Sequence, residues 1–313
     1  MEMKNVAGLS MKGGRKDNFI FCLIEYYPDQ SRWFLKSLLQ VKDEEGRDGD
    51  EAIREWISKY KLKNLVVDFP LSTPSCHSCE LACPGAVLCQ VESVLKVREE
   101  IQALIDEDLK IQNHHPKEYE RKRNEADEID YSRDVMAKPT DQHLLSRSFK
   151  RRLKKGYLPY WNRPLDFWVW KHYYDQLLDL FNLSFDSFGT TSLMIQSRFT
   201  YLRRHFPQDF NLYESHLPIL LIELLRAGII HKRDVLQLSD IEMGMESRLD
   251  IIKKIEEHLK VFIYDHDLEF LVKNPRAFES FLLAIVGQNI HLGKQRSLPD
   301  WALEESQFVI PSF

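Results

Sequence analysis

Apolar positions fall in short β-type runs over the first quarter of the chain and in longer helical stretches over much of the remainder. Residues 5–10 (NVAGLS) form a short run that meets the turn Lys12-Gly13-Gly14-Arg15. Residues 19–26 (FIFCLIEY) are aromatic and β-branched, the composition of a strand. Gly-Gly between two such runs signals a hairpin, here with a connection longer than two residues. A third strand is predicted over 32–39. The polar stretch DEEGRDGDE then leads into a helix over 51–60, with Ile53, Trp56, Ile57 and Tyr60 on one face. Leu65, Val66 and Val67 form a short buried strand that ends on a carboxylate, Asp68. Three meandering strands, a helix and a buried strand predict an α/β sheet of mixed strand direction.

Helical periodicity without Gly or Pro covers 91–109, and 113–135 is highly charged and poor in apolar residues, a solvated helix or an excursion. Buried helices are predicted over 166–183 and 193–206. Asn211 to Glu214 reads as a short strand ending in an acid, followed by a helix over 217–227 that stops at Gly228. A helical pair is predicted over 235–246 and 247–261. A helix with Pro in its first turn covers 275–290, and 308–311 reads as a closing strand. No internal repeat is visible. The expected organisation is a single α/β domain over 1–313, with a cysteine-rich loop at 72–90 and a mainly helical insertion at 91–209.

The 313 residues are 43% hydrophobic with 18 Phe, 12 Tyr and 6 Trp, enough for a substantial core and against global disorder. The net charge of -5 is small and dispersed, so any polyanionic partner must be read from local patches. No window approaches the roughly 18 apolar residues of a membrane helix, and the first residues lack an apolar leader core. A cytoplasmic protein with no membrane partner is expected. Four of the five cysteines lie at positions 76, 79, 83 and 89, which favours metal binding or free thiols over a secreted disulfide framework.

Three acids fall at predicted element ends: Asp68, Glu214 and Glu279. Gathered by a sheet, they would bind Mg²⁺ or Mn²⁺, which activate water and neutralise charge in phosphoryl transfer. The plain alternative is that each sits at a strand or helix end, where turns and the helix dipole favour acids. Cys76, Cys79, Cys83 and Cys89 could complete a tetrahedral zinc site. Iron–sulfur ligation and unliganded thiols are the alternatives, although the spacing departs from the bacterial ferredoxin run. Cys22 reads as a core residue. Residues 147–155 (RSFKRRLKK) carry six positive charges and no acid, followed by aromatic residues. Lys150, Arg151, Arg152, Lys154 and Lys155 are therefore candidate nucleic-acid contacts, or else a solvated helix face.

The segments NVAGLS, NLVVDFPLSTP, NLYESHLP and AFESFLLAIVG follow one another in a recognisable order. The chain resembles a family of uncharacterised proteins predicted to be RNase H-like nucleases. The family's motifs are a first strand ending near Gly-x-Asp, then apolar-Asp-x-Pro-Leu, then apolar-Glu-x-x-Pro, then a C-terminal helix with an acid before small apolar residues. Asp68-Phe69-Pro70-Leu71 matches the second, Glu214 to Pro218 the third with one extra residue, and Glu279 the fourth. The resemblance covers both ends of the chain and leaves the middle poorly matched. It implies an RNase H-like mixed sheet flanked by helices, with Asp68, Glu214 and Glu279 as metal-binding catalytic acids. One position departs: Ser10, in Gly8-Leu9-Ser10, stands where the first acid is expected. Two functions follow as expectations: a metal-dependent nuclease, or a non-catalytic nucleic-acid- or protein-binding protein with a metal-pinned cysteine loop.

Overall fold

The first apolar runs become β1 (Lys4–Met11), β2 (Phe19–Tyr27), β3 (Arg32–Gln40) and β4 (Asn64–Val67), joined later in the chain by β5 (Asn211–Glu214) and β6 (Val261–Phe262). They form one six-stranded sheet in the order β5-β4-β1-β2-β3-β6. β1, β2 and β3 are an antiparallel meander, while β4 runs parallel to β1, β5 to β4 and β6 to β3. The expectation of a mixed α/β sheet therefore holds. The computed structural model describes residues 4–11, 19–41, 48–129, 131, 145–183, 193–240, 242–303 and 307–313. The Gly13-Gly14 turn and part of the charged stretch at 130–135 lie outside the described residues.

The chain divides into two compact units, the first comprising Met1–Leu71, Thr190–Arg296 and Ser306–Phe313, the second Ser72–Gly189 and Ser297–Glu305. In the first, side chains alternate across the sheet as strand geometry requires. One face sends Leu9, Phe21, Leu65 and Val67 into a core with α1 (Gly49–Lys59) and α6 (Leu193–Arg203). Trp56 of α1 lies against Phe21 at 5.5 Å between ring centroids. Asp48 caps α1 by accepting from Glu51 N at 2.8 Å.

The other face carries α11 (Pro275–His291), which is buried on most sides, as an apolar helix must be when it lies between a sheet and further helices. Asn274 caps it, accepting from Arg276 N and Ala277 N. The approach of α11 to β1 is unusually close. A Cβ built on Gly8 would lie 2.2 Å from Ser280 O and 2.4 Å from Ala284 N, both backbone atoms. Gly287 makes the reciprocal concession on the helix, with Val6 Cβ 3.1 Å from where its own Cβ would stand. The two glycines let helix and strand meet backbone to backbone.

The helices α7 (Leu217–Arg226), α8 (Lys232–Gln237), α9 (Met243–Leu259) and α10 (Asp265–Lys273) complete this unit. Two differences from the sequence reading have local causes. The helix expected over 235–246 is divided, because Asp240 accepts from Glu242 N and Met243 N, each at 2.8 Å, and starts α9 there. The helix expected to reach 261 stops at Lys260, whose φ of 52° is left-handed. Trp33 N then donates to Lys260 O at 3.0 Å and draws Val261–Phe262 into pairing beside β3. The expected closing strand is reduced to isolated bridges, Glu214 with Phe308 and Gln295 with Pro311.

The second unit contains α2 (Glu92–His114), α3 (Pro116–Asp127), α4 (Arg147–Lys154), α5 (Pro164–Phe181) and α12 (Asp300–Leu303). Its core includes Val94, Val97, Phe149, Phe167 and Trp170. A buried ion pair, Arg163 with Asp166 at 2.8 Å, starts α5. This unit begins at Ser72 and takes in the cysteine loop. α6 lies in the first unit, where Ile195, Phe199 and Leu202 join the core and Phe199 packs on Phe69 at 4.5 Å. Among the described residues no helix is long and apolar enough to cross a membrane.

Candidate active site

Strand register decides which of the predicted acids can meet. Leu9, Val67 and Glu214 are direct partners across β1, β4 and β5. Partners in adjacent parallel strands share a face, so Glu214 belongs to the face of Leu9 and Val67, opposite α11. Ser10 follows Leu9 on β1 and falls on the α11 face, whereas Asp68 and Ser215 lie one residue past the ends of β4 and β5; Val67 and Phe69 share the opposite core, which leaves Asp68 to the α11 side. The ladder continues that far, since Ser215 N donates to Val67 O at 2.9 Å.

On the α11 face, Ser10 Oγ donates to Glu279 Oε2 at 2.7 Å. Ser10 is fully buried, whereas Glu279 and Asp68 are half-buried. Gly8 is the reason this bond exists: two residues before Ser10 on the same face, it lets α11 descend until the first turns of the helix reach the end of β1. Ser215 is also fully buried, and its Oγ has no hydrogen-bond partner among the described residues. On the α11 side of the rim Ser10 and Glu279 are thus in contact, and Asp68 and Ser215 follow the ends of the neighbouring strands; all four carry oxygen donors, the kind that suits a hard cation. Ser215 was not singled out from the sequence; its only sign there was its place after the acid of β5.

Glu214 does different work. Its Oε2 accepts from Leu71 N at 2.9 Å and its Oε1 lies 3.0 Å from His216 Nε2, while its backbone is bracketed by Gln307 and Val309. The side chain is fully buried. By holding Leu71 N it fixes the end of the short Asp68-Phe69-Pro70-Leu71 turn. His216 in turn lies against the ring of Phe308 at 5.4 Å. Sequence order alone made Asp68, Glu214 and Glu279 equivalent; the register separates Glu214 from the other two.

In the second unit, Cys76 is half-buried, Cys79 and Cys83 are exposed and Cys89 is buried, all as free thiols. Burial raises the Cys76 thiol above its ordinary range, and the thiols of Cys89, Cys83 and Cys79 add to the rise. Among the described residues, no group of three or more His, Cys, Asp or Glu side chains is drawn together as a metal-binding set. Cys22 is a fully buried strand residue paired with Gly8.

The basic stretch is α4, and its charges divide. Phe149 and Leu153 are buried, and Lys150 turns inward with them. Its Nζ pairs with the buried Asp108, and it donates to Tyr119 Oη at 3.0 Å while Tyr119 Oη donates to Asp108 Oδ2 at 2.9 Å. Lys150 is therefore committed to neutralising Asp108. Arg152 Nη1 donates to Gly156 O at 3.2 Å, whereas Arg151, Lys154 and Lys155 are exposed. Only these three stand in the open as the sequence reading required.

No family model, no curated protein and no solved structure matches this chain.

Proposed function

We propose that this protein is a metal-dependent phosphoryl-transfer enzyme of RNase H-like fold, a nuclease, whose site lies on the α11 side of the sheet. The observation that carries the reading is the bond from Ser10 Oγ to Glu279 Oε2, with Asp68 directly after Val67, the β4 partner of Leu9. The fold reading is supported by the motif-bearing segments: β1, β4 and β5 lie side by side and parallel, and the helix with the fourth motif crosses β1.

The donor set fits one hard cation better than two. Mg²⁺ binds through one or two carboxylates and keeps several waters, and here two carboxylates share the face. Asp68 and Glu279 would hold the ion, with Ser10 as a neutral oxygen beside it. When bound, the ion supplies charge neutralisation at a phosphate and an activated water. Ser10 orients the Glu279 carboxylate, and its full burial excludes water from that side. Glu214 is a positioning residue: by accepting from Leu71 N it fixes the turn that carries Asp68. The exposed Arg151, Lys154 and Lys155 are the candidate contacts to the phosphates of a nucleic acid.

A second reading is favoured by the same bond. A hydroxyl stands where the first acid is expected, and it already satisfies one Glu279 oxygen, which suits a domain that binds without hydrolysing. Cleavage of single- and double-stranded DNA and RNA with Mg²⁺ or Mn²⁺ separates the two. The enzyme reading expects metal-dependent cleavage that Asp68→Asn reduces by about 100-fold or more, the order lost on removing one charge-stabilising group. Retained nucleic-acid binding with no cleavage of any substrate would instead establish the second reading.

A further inference from the structure

We propose that the end of α4 and the turn after it bind single-stranded nucleic acid, with Arg151, Lys154 and Lys155 against its phosphates and Tyr160 and Trp161 stacked on its bases. The inference rests on the proposed function for the choice of a nucleic acid as partner, but it requires neither the metal nor cleavage. All five residues lie in the second unit.

Residues 147–165 contain no Asp or Glu. Some of their cations are committed to the fold: Lys150 to Asp108, Arg163 to Asp166, and Arg147, whose Nη2 donates to Asn124 Oδ1 at 2.7 Å. Arg151, Lys154 and Lys155 are exposed and, among the described residues, enter no ion pair. Arg151 and Lys154 stand three apart on α4, so they share a side of the helix. Cations gathered without a counter-charge repel one another, and a polyanion relieves that repulsion.

The aromatic residues follow at once. Gly156, with φ of 84°, ends α4 in a left-handed turn, and Arg152 Nη1 donates to its carbonyl at 3.2 Å. Tyr157 and Pro159 are then buried, and Tyr157 Oη donates to Asn162 O at 2.7 Å. Trp161 N and Asn162 N both donate to Leu158 O at 2.9 Å. These bonds fix a tight turn with Tyr160 and Trp161 at its crest, 52% and 50% exposed. Of the six tryptophans, Trp161 alone is exposed. Rings held half in water forgo the stabilisation of burial, and a planar partner restores it.

Lys155 and Tyr160 are five residues apart, so their Cα atoms lie within about 18 Å of each other. One strand can therefore meet both cations and rings. Charge alone suits any polyanion; the rings select one whose base faces are open, as in a single strand and not in a duplex. A membrane surface fits less well, because Phe149 and Leu153 are buried and leave α4 no apolar face to lay on a bilayer.

The test is fluorescence anisotropy of the full chain with labelled oligo(dT), oligo(U) and a duplex, all in chelator. The single strands should bind at least about tenfold more tightly than the duplex. Tyr160→Ala and Trp161→Ala should each weaken single-strand binding by about tenfold and leave its salt dependence unchanged. Trp161→Phe keeps a ring and should retain most of the affinity, which separates stacking from damage to the turn. Arg151→Ala and Lys154→Ala should each reduce the slope of log affinity against log salt by about 0.7. All these side chains are exposed, so circular dichroism should match the parent. Duplex binding as tight as single-strand binding would overturn the proposal, as would parental affinity in both aromatic alanine variants. Capture of anionic phospholipid vesicles with no binding of either oligonucleotide would overturn it by assigning the surface to a membrane. Because chelator removes divalent metal from the assay, failure of the phosphoryl-transfer reading does not alter these outcomes. Metal-dependent cleavage with parental substrate affinity in the doubly substituted Tyr160→Ala, Trp161→Ala protein would overturn this inference alone.

Discussion

Gly8→Ala is expected to destabilise the first unit by about 3 kcal/mol or more, at the upper end of what overpacking a core costs. The added Cβ would meet Ser280 O at 2.2 Å, Ala284 N at 2.4 Å and Leu283 Cβ at 2.7 Å. The first two are helix backbone and cannot swing aside, so α11 must lift from β1. Lifting the helix also separates Glu279 from Ser10, so the same substitution should abolish any activity that depends on their contact. Gly287→Ala is the internal comparison. There the nearest atom is Val6 Cβ at 3.1 Å, a contact relieved by a few tenths of an ångström, and alanine favours the helix by about 1 kcal/mol. Its net effect should lie within about 1 kcal/mol of zero. Chemical denaturation of both variants checks this, and a Gly8→Ala protein as stable as the parent would refute the packing account.

Ser10→Asp is expected to make stability depend on metal. Ser10 is fully buried and bonded to Glu279, so a second carboxylate there faces a like charge with little water to screen it. Without a divalent cation the variant should lose about 3–5 kcal/mol, the order associated with an uncompensated buried charge. A cation that binds between the introduced carboxylate and Glu279 relieves the repulsion, so Mg²⁺ or Mn²⁺ should recover most of the loss in a concentration-dependent manner. The parent should show a much smaller metal response. If the site is otherwise competent, metal-dependent cleavage should also rise in the variant. Thermal melting across a Mn²⁺ series reads the first effect directly. A variant destabilised equally with and without metal would show that the rim does not hold a cation at that corner.

Much of the sheet was legible because the first four strands and α1 are written in local pattern: aromatic and β-branched runs separated by polar turns, then an apolar helix face. α11 was legible for the same reason. β6 was not, because two residues carry no pattern of their own. Their pairing depends on Lys260 leaving the helix and on Trp33 waiting across the sheet. Glu214 was legible as an acid at a strand end, but its face was not. Whether it joins Asp68 depends on the register of three strands drawn from distant parts of the chain. Gly8 was visible as part of a motif, whereas its role as the contact point of α11 required the helix to be in place. Lys150 illustrates the limit for charge. Its neighbours in sequence are cations, and the Asp108 that claims it lies 42 residues away.

Under the proposed function, Asp68 and Glu279 hold one hard cation while Glu214 supports the site from the other face. Calorimetric titration of Mn²⁺ into the parent, Asp68→Asn and Glu214→Gln tests it most directly, because soft thiolates do not compete for this ion. The parent should bind about one Mn²⁺, Asp68→Asn should lose at least about tenfold in affinity, and Glu214→Gln, which keeps an acceptor for Leu71 N, should bind with near-parental affinity. Equal binding by the parent and Asp68→Asn, or loss of binding only in Glu214→Gln, would contradict it.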